Sequence, residues 1–174
     1  QQAAELLAHE LSAEDQGALV TFRGDGFEPG GVDDATLRQA LDDMTDENRD
    51  DLIEKIQLLF GSGATSIGDG IQKAIDMLDD TGTNPHQAIL VLTDGRSNPE
   101  PPEEAVRQAE QSRAEGTTVF AIGLGAAVAA DELGRIAGAA ERRFLSATGT
   151  DLTEIYRRIA RQLPCPPSAF WGRR

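Results

Sequence analysis

Apolar residues follow two patterns that alternate along this chain. In some segments they recur at the three- and four-residue spacing of an amphipathic helix, and in others they form short continuous runs that are typical of buried strands. Because the predicted helices and strands alternate, we expect a doubly wound, mostly parallel α/β sheet. The predicted helices cover residues 1–11, 34–44, 48–60, 103–115, 131–139 and 151–163, with another that contains Ile71, Ala74, Ile75 and Leu78, and the predicted strands cover residues 18–22, 88–93, 117–124 and 143–146.

Glycine and proline divide the chain between these elements. Residues 24–31 hold four glycines and one proline, which predicts a loop with a short edge strand near Phe27. Gly116 follows a predicted helix and is expected to end it as a C-terminal cap. Residues 164–174 contain three prolines and no periodicity. We therefore expect one domain over residues 1–163, followed by a proline-rich tail.

The chain of 174 residues is strongly acidic, with a formal net charge of −14. A surface of this charge disfavours nucleic-acid backbones and anionic membranes as partners. No apolar run approaches the ~20 residues that a membrane-spanning helix needs. Cys165 is the only cysteine, and it is either an idle thiol or half of a disulfide with a cysteine upstream of this sequence.

Two short segments carry the side chains most suited to binding. Thr65 lies where the glycine-rich segment Gly-Ser-Gly-Ala-Thr-Ser-Ile-Gly-Asp-Gly-Ile opens a helix, and Asp94 ends the buried run Ile-Leu-Val-Leu-Thr-Asp-Gly. In an open α/β sheet, helix starts and strand ends meet at the carboxyl edge, where such sheets place ligands. A hydroxyl and a carboxylate are hard oxygen ligands, so we expect a site at this edge that suits Mg²⁺, Mn²⁺ or Ca²⁺.

Ordinary local structure also accounts for each of these residues. Thr65 is a typical helix N-cap, and Ser66 with Asp69 three residues later forms a capping-box pattern. Asp94 followed by glycine is a common turn after a strand. The histidines and the single cysteine form no nucleophile–base arrangement in the sequence, so we expect the chain to bind a partner and not to be an enzyme.

Four segments, in this order, resemble the von Willebrand factor A (vWA) domain, the fold of integrin inserted domains: Leu-Val-Thr-Phe, Gly-Ala-Thr-Ser-Ile-Gly-Asp-Gly-Ile, Ile-Leu-Val-Leu-Thr-Asp-Gly and Val-Phe-Ala-Ile-Gly-Leu-Gly. The resemblance covers residues 1–163 and implies a three-layer α/β fold. The family carries a metal-ion-dependent adhesion site (MIDAS), built from Asp-x-Ser-x-Ser after the first strand, a threonine that opens a later helix and an aspartate in a Thr-Asp-Gly turn. Thr65 and Asp94 match that threonine and that aspartate.

Asp-x-Ser-x-Ser occurs nowhere in the chain, which begins inside what looks like the first helix. The resemblance therefore implies an N-terminally truncated vWA domain, without the central strand that the family places between residues 18–22 and 88–93. With two of the five site residues, the fragment is expected to hold Mg²⁺ weakly or not at all. The two strand edges left open predict marginal stability, aggregation or strand exchange with another chain.

By this resemblance, the intact domain binds a protein ligand whose acidic side chain completes the coordination of Mg²⁺, Mn²⁺ or Ca²⁺. Thr65 would coordinate the cation directly or through water, and Asp94 would accept a hydrogen bond from a metal-bound water. The final helical segment looks like those of bacterial surface members, so we expect an extracellular or cell-surface adhesion or assembly protein. Similar domains bridge subunits in metal chelatases and other intracellular ATP-driven machines, and this role is the alternative.

Overall fold

Five strands form two separate sheets in the part of the chain that the structure describes. The computed structural model describes residues 2–23, 34–59, 64–82, 85–98, 101–146 and 151–163. The first sheet pairs β1 (Gln16–Phe22) antiparallel with β2 (Ala35–Asp43). The second sheet is parallel and has the order β3–β4–β5, formed by β3 (Ala88–Thr93), β4 (Thr118–Leu124) and β5 (Arg143–Ser146).

Helices cover both faces of these strands. They are α1 (Gln2–Glu10), α2 (Asp46–Gln57), α3 (Ile67–Thr81), α4 (Pro102–Ala114), α5 (Ala130–Ala137) and α6 (Leu152–Ala160). On one face, α3, α4 and α5 bury Ile71, Val106 and Ile136 in one cluster with β3 and β4. On the other face, α6 packs Tyr156 and Ile159 against β4 and β5, while α1 and α2 pack against the first sheet. This arrangement confirms the predicted three-layer α/β fold. Within the described ranges, no helix is long and apolar enough to cross a bilayer.

The segment predicted as a helix over residues 34–44 is instead the strand β2. Its pairing with β1 sets Leu37 opposite Val20 and Gln39 opposite Leu19, with register shifts on both sides of Leu19. These irregularities break the two-residue alternation that marks a strand in sequence. Leu37 is 40% exposed, although a helix would set it on the same face as Met44, which is fully buried. Pairing with β1 therefore prevails over the local helical spacing.

The other predicted helices and strands are confirmed to within a few residues at their ends. Gly116 follows α4 with a φ of +102°, in the region that favours glycine, as its predicted capping role requires. The predicted loop over residues 24–31, with its edge strand near Phe27, lies outside the described residues. The predicted tail over residues 164–174, with Cys165, also lies outside them.

Burial distinguishes the central strand of the second sheet from its neighbour. β4 pairs on both sides, and its residues 119–123 are all buried. Among the described strands, β3 pairs only with β4. Burial alternates along it, so that Ile89, Val91 and Thr93 are buried while the residues between them are half-buried. The continuous apolar run of residues 88–93 predicts burial on both faces of the strand, and this prediction is wrong for one face. β1, which pairs only with β2, is half-buried along most of its length.

A cavity of about 1590 Å³ lies between β1 and β3. Residues 17–22 and 88–93 line it together with side chains of α1, α3 and α6, and the two strands do not pair with each other. A strand of six residues is about 20 Å long, about 4.8 Å from its neighbours and lies between layers about 10 Å apart, so it fills roughly 1000 Å³. This cavity, which we call the slot, therefore has room for one further strand, and it lies where the family resemblance places the absent one.

Tyr156 combines burial with an unsatisfied polar group. Tyr156, on α6, is 1% exposed and forms part of the slot lining. Its hydroxyl has no hydrogen-bond partner among the described residues, and burial raises the pKa of that hydroxyl far above its ordinary value. A buried hydroxyl without a partner costs about 1–3 kcal/mol. The lining of the slot therefore includes one residue with an unsatisfied buried donor.

Candidate cation site at the carboxyl edge

A short backbone pairing brings the two predicted site residues to the same edge. The Thr65 N–H donates to the Asn98 carbonyl at 2.7 Å, and the Asn98 N–H donates to the Thr65 carbonyl at 2.9 Å. This isolated antiparallel bridge joins the segment ahead of α3 to the loop after β3 that carries Asp94. The structure thus brings together two loops that the sequence separates by almost thirty positions.

The Thr65 side chain lies against the turn after β3. A Cβ atom on Gly95 would lie 3.4 Å from Thr65 Oγ1, which is ordinary contact distance. The Gly95 N–H donates to Thr93 Oγ1 at 3.2 Å and so ties the turn to the end of β3. Asp94 is exposed, whereas Thr65 is half-buried. The edge therefore offers a carboxylate that solvent reaches and a hydroxyl that the turn partly covers.

The start of α3 does not use the predicted capping pattern. Ser66, not Thr65, occupies the N-cap position, and its side chain makes no capping hydrogen bond. Ser66 Oγ donates instead to Asp34 Oδ2 at 3.2 Å, and both residues are buried. The capping-box prediction for Ser66 and Asp69 is therefore wrong. Sequence analysis missed Asp34 because no local pattern links it to α3.

Several acidic side chains lie close to one another beside the start of α3. Burial raises the pKa of the Asp69 carboxyl, and the charges of Asp34 and Glu104 raise it further. Asp69 Oδ2 is buried and has no hydrogen-bond partner in the described part of the chain. A hydrogen bond from Arg107 lowers the pKa of Glu104, which keeps that carboxylate charged. The resulting local potential favours cations over anions at this side of α3.

The loop after β3 has a second anchor that sequence analysis missed. The Ser97 hydroxyl donates to Glu132 Oε1, and the Ser97 N–H donates to Glu132 Oε2 at 3.4 Å. Both residues are buried, and Glu132 lies in the first turn of α5. In the sequence, Glu132 reads as an ordinary acidic residue at a helix start. Nothing in its local pattern indicates a contact with the loop after β3.

The residues at this edge have the ligand chemistry that a hard divalent cation prefers, but there are too few of them to hold one. Thr65 and Asp94 provide a hydroxyl and a carboxylate, which suit Mg²⁺ or Mn²⁺. Within the described residues, no group of three or more His, Cys, Asp or Glu side chains is arranged to hold a metal ion. Mg²⁺ requires about six oxygen ligands and gives up its waters reluctantly. These two residues therefore form part of a cation site and not a whole one.

Comparison with known proteins agrees with this fold. The family model of the von Willebrand factor type A domain matches residues 2–158, and the chain therefore belongs to that family. Among curated proteins, the mouse collagen alpha-6(VI) chain is 34% identical over 116 residues, which cover 64% of this chain. That match spans only 5% of the collagen.

Among solved structures, proximal thread matrix protein 1 from the mussel byssus superposes with a TM-score of 0.73 at 23% identity. The match covers 95% of this chain and 41% of that chain. A second structure of the mussel protein, with a zinc-occupied MIDAS motif, gives a TM-score of 0.71 at 24% identity, over 91% of this chain and 39% of that one. At these identities the likeness concerns the fold.

Proposed function

We propose that this chain is a protein-binding vWA domain that recognises its ligand through a divalent cation at the edge of Thr65 and Asp94. The family assignment and the relation to a collagen support a role in extracellular adhesion or assembly and not in catalysis. The alternative of an intracellular ATP-driven machine draws no support from a collagen relative. The bacterial surface assignment draws none either.

The observation that carries the proposal is the pairing of Thr65 with Asn98. It holds the hydroxyl of one loop beside the turn that presents Asp94, on the edge where α/β sheets place ligands. Thr65 would bind the cation directly or through water, and Asp94 would accept a hydrogen bond from a metal-bound water. The zinc-occupied MIDAS motif of the mussel protein supports a cation at the corresponding place in this fold.

The remaining ligands would come from a strand that fills the slot. In the family, Asp-x-Ser-x-Ser follows the strand that lies between the equivalents of β1 and β3. The slot lies between these strands and is large enough for one more. The cation would then hold enough positive charge to attract an acidic side chain of the protein ligand.

Charge explains why this ligand would need the cation. The chain has a formal net charge of −14, and the acidic residues beside α3 add a local negative potential. An acidic side chain that approached Asp94 without a cation would be repelled. We therefore expect Mg²⁺ or Mn²⁺ to be required for binding.

A pull-down with and without chelator tests the proposal. The bait is the chain extended ahead of Gln1 by an Asp-x-Ser-x-Ser strand, and the prey is an extracellular extract of the source organism. We expect partners to be captured in Mg²⁺, lost in EDTA and recovered when Mn²⁺ is added. The Asp94→Ala bait should lose them, while Asp80→Ala, a change at an exposed aspartate at the far end of α3, should keep them. The same partners in both lanes would show that the domain binds through another surface.

A further inference from the structure

Glu132 is a buried carboxylate whose hydrogen bonds go to the loop that carries Asp94. Glu132 is 5% exposed and Ser97 is 6% exposed. The carboxylate accepts from both the hydroxyl and the N–H of Ser97, one on each oxygen. A carboxylate is an acceptor on both oxygens, so it can satisfy these two donors at once, whereas an amide side chain offers only one oxygen.

A buried carboxylate needs hydrogen bonds or charges that compensate for its lost hydration. None of the ion pairs found among the described residues includes Glu132. The remaining favourable terms are the two Ser97 donors and the N-terminal end of α5, where a negative charge is stabilised. A neutral residue would avoid the desolvation cost if the only requirement were to fill space. The buried position of Glu132 therefore indicates that its carboxylate holds the loop after β3 in place.

The helix that carries Glu132 is itself fixed against the sheet. Leu133, the next residue, is 1% exposed, and a Cβ atom on Gly123 of β4 would lie only 2.7 Å from its side chain. This close approach fixes the distance between α5 and β4. Glu132 therefore contacts the loop after β3 from a helix that is packed closely against the sheet.

We propose that Glu132 is a positioning residue of the cation site. It fixes the loop of residues 94–98 through Ser97, and the loop in turn keeps the Asn98 bridge to Thr65 and the direction of Asp94. The structural part of this inference, that Glu132 orders the loop, stands on the hydrogen bonds alone. Its consequence for cation binding rests on the proposed function.

The test compares Glu132→Gln with Asp131→Asn in the full chain. Asp131 is the neighbouring acid in the same first turn of α5, loses the same charge and is exposed. By NMR, Glu132→Gln should speed hydrogen exchange of the Ser97 amide at least about tenfold, because one charge-assisted bond is lost. It should also weaken the broadening that added Mn²⁺ causes at the amides of Asp94 and Gly95. Asp131→Asn should change neither, and melting temperatures are measured for both.

The outcomes separate this inference from the proposed function. Unchanged exchange at Ser97 and unchanged Mn²⁺ broadening in Glu132→Gln would overturn the positioning role. A strand-extended version that shows no broadening at Asp94 would contradict the cation site, while the exchange rates would still decide whether Glu132 orders the loop. If Glu132→Gln does not fold, Ser97→Ala replaces it, since that variant keeps the carboxylate and removes only the hydroxyl donor. Ser97→Ala with wild-type exchange at residues 94–98 would then overturn the role.

Discussion

The two sheets of this domain differ in how completely their strands are paired. In the three-stranded sheet, β4 has a neighbour on each side and is buried along residues 119–123. In the two-stranded sheet, β1 pairs only with β2 and is mostly half-buried. β3 belongs to the well-packed sheet, yet its face next to the slot resembles β1 in burial. Burial in this molecule thus follows the number of paired neighbours more closely than the hydrophobicity of the strand.

The candidate cation site likewise has one well-packed side and one side that is open to the slot. Thr65 lies just ahead of α3 and Asp94 just after β3, on the well-packed side, where backbone and side-chain hydrogen bonds hold their loops. Within the described residues, no group of three or more His, Cys, Asp or Glu side chains completes the site. The structure therefore contains one ordered half of a site, beside an opening of strand size. The predictions below change either the slot or the residues packed beside it.

The largest expected effect comes from filling the slot. Joining an Asp-x-Ser-x-Ser strand ahead of Gln1 should raise the free energy of unfolding by at least about 5 kcal/mol, because several orphan backbone groups each cost about 1–3 kcal/mol. Without that strand, we expect the chain to be marginally stable or to self-associate through the open edges. Urea unfolding and sedimentation measure both properties. An extension with proline at its centre is the control, since proline cannot pair inside a sheet.

A sharp, high-temperature transition of a monodisperse monomer without the added strand would contradict this expectation. So would an equal gain in stability from the proline-containing extension.

The next largest effect is expected for two apolar residues of similar size, one in the packed core and one beside the slot. Ile122 of β4 is fully buried, and Leu90 of β3 is half-buried beside the slot. Ile122→Ala should destabilise the chain by about 2–5 kcal/mol, the range for buried aliphatic residues. Leu90→Ala should cost about 1 kcal/mol, because less apolar surface is lost from the core. Equal losses in urea unfolding would show that the slot is closed in solution.

Much of the fold could be predicted from apolar pattern, since β3, β4 and α3 carry clear strand or helix periodicity. The edge shared by Thr65 and Asp94 also followed from the general arrangement of α/β sheets. β2 was predicted wrongly because its identity depends on an irregular register with β1, which no local window contains. The partners of Asp34 and Glu132 escaped prediction for a similar reason, since each is a long-range hydrogen bond between residues whose local patterns are ordinary.

A smaller effect concerns the buried hydroxyl of Tyr156, a residue of the slot lining. Tyr156→Phe should leave the stability of the chain unchanged or raise it by up to about 1 kcal/mol, because it removes an unpaired buried donor. In the strand-extended version, the same change should cost about 1 kcal/mol if the added backbone accepts from the hydroxyl. Thermal unfolding of the four proteins measures the difference. An identical effect in both backgrounds would show that the strand does not reach Tyr156.

The smallest effect is the pH dependence of Asp69. Burial and the charges of Asp34 and Glu104 raise its folded pKa above the unfolded value, so its contribution to stability is present at low pH and is lost as the pH rises through the folded pKa. Asp69→Asn should therefore stabilise the chain at pH 7 by on the order of 0.5 kcal/mol, and this gain should vanish near about pH 3. Asp79→Asn, at an exposed position of the same helix, serves as the control in urea titrations. A gain that does not depend on pH would contradict this electrostatic origin.

Calorimetric titration of Mn²⁺ into four proteins tests the central claim most directly. They are the chain itself, the strand-extended version, and the extended version with Thr65→Ala or with Asp94→Ala. We predict weak binding by the chain, one clear site in the extended version, and at least about a tenfold loss of affinity in each variant, as expected when an ordered ligand is removed. Tight, stoichiometric binding by residues 1–174 that survives Asp94→Ala would contradict the account.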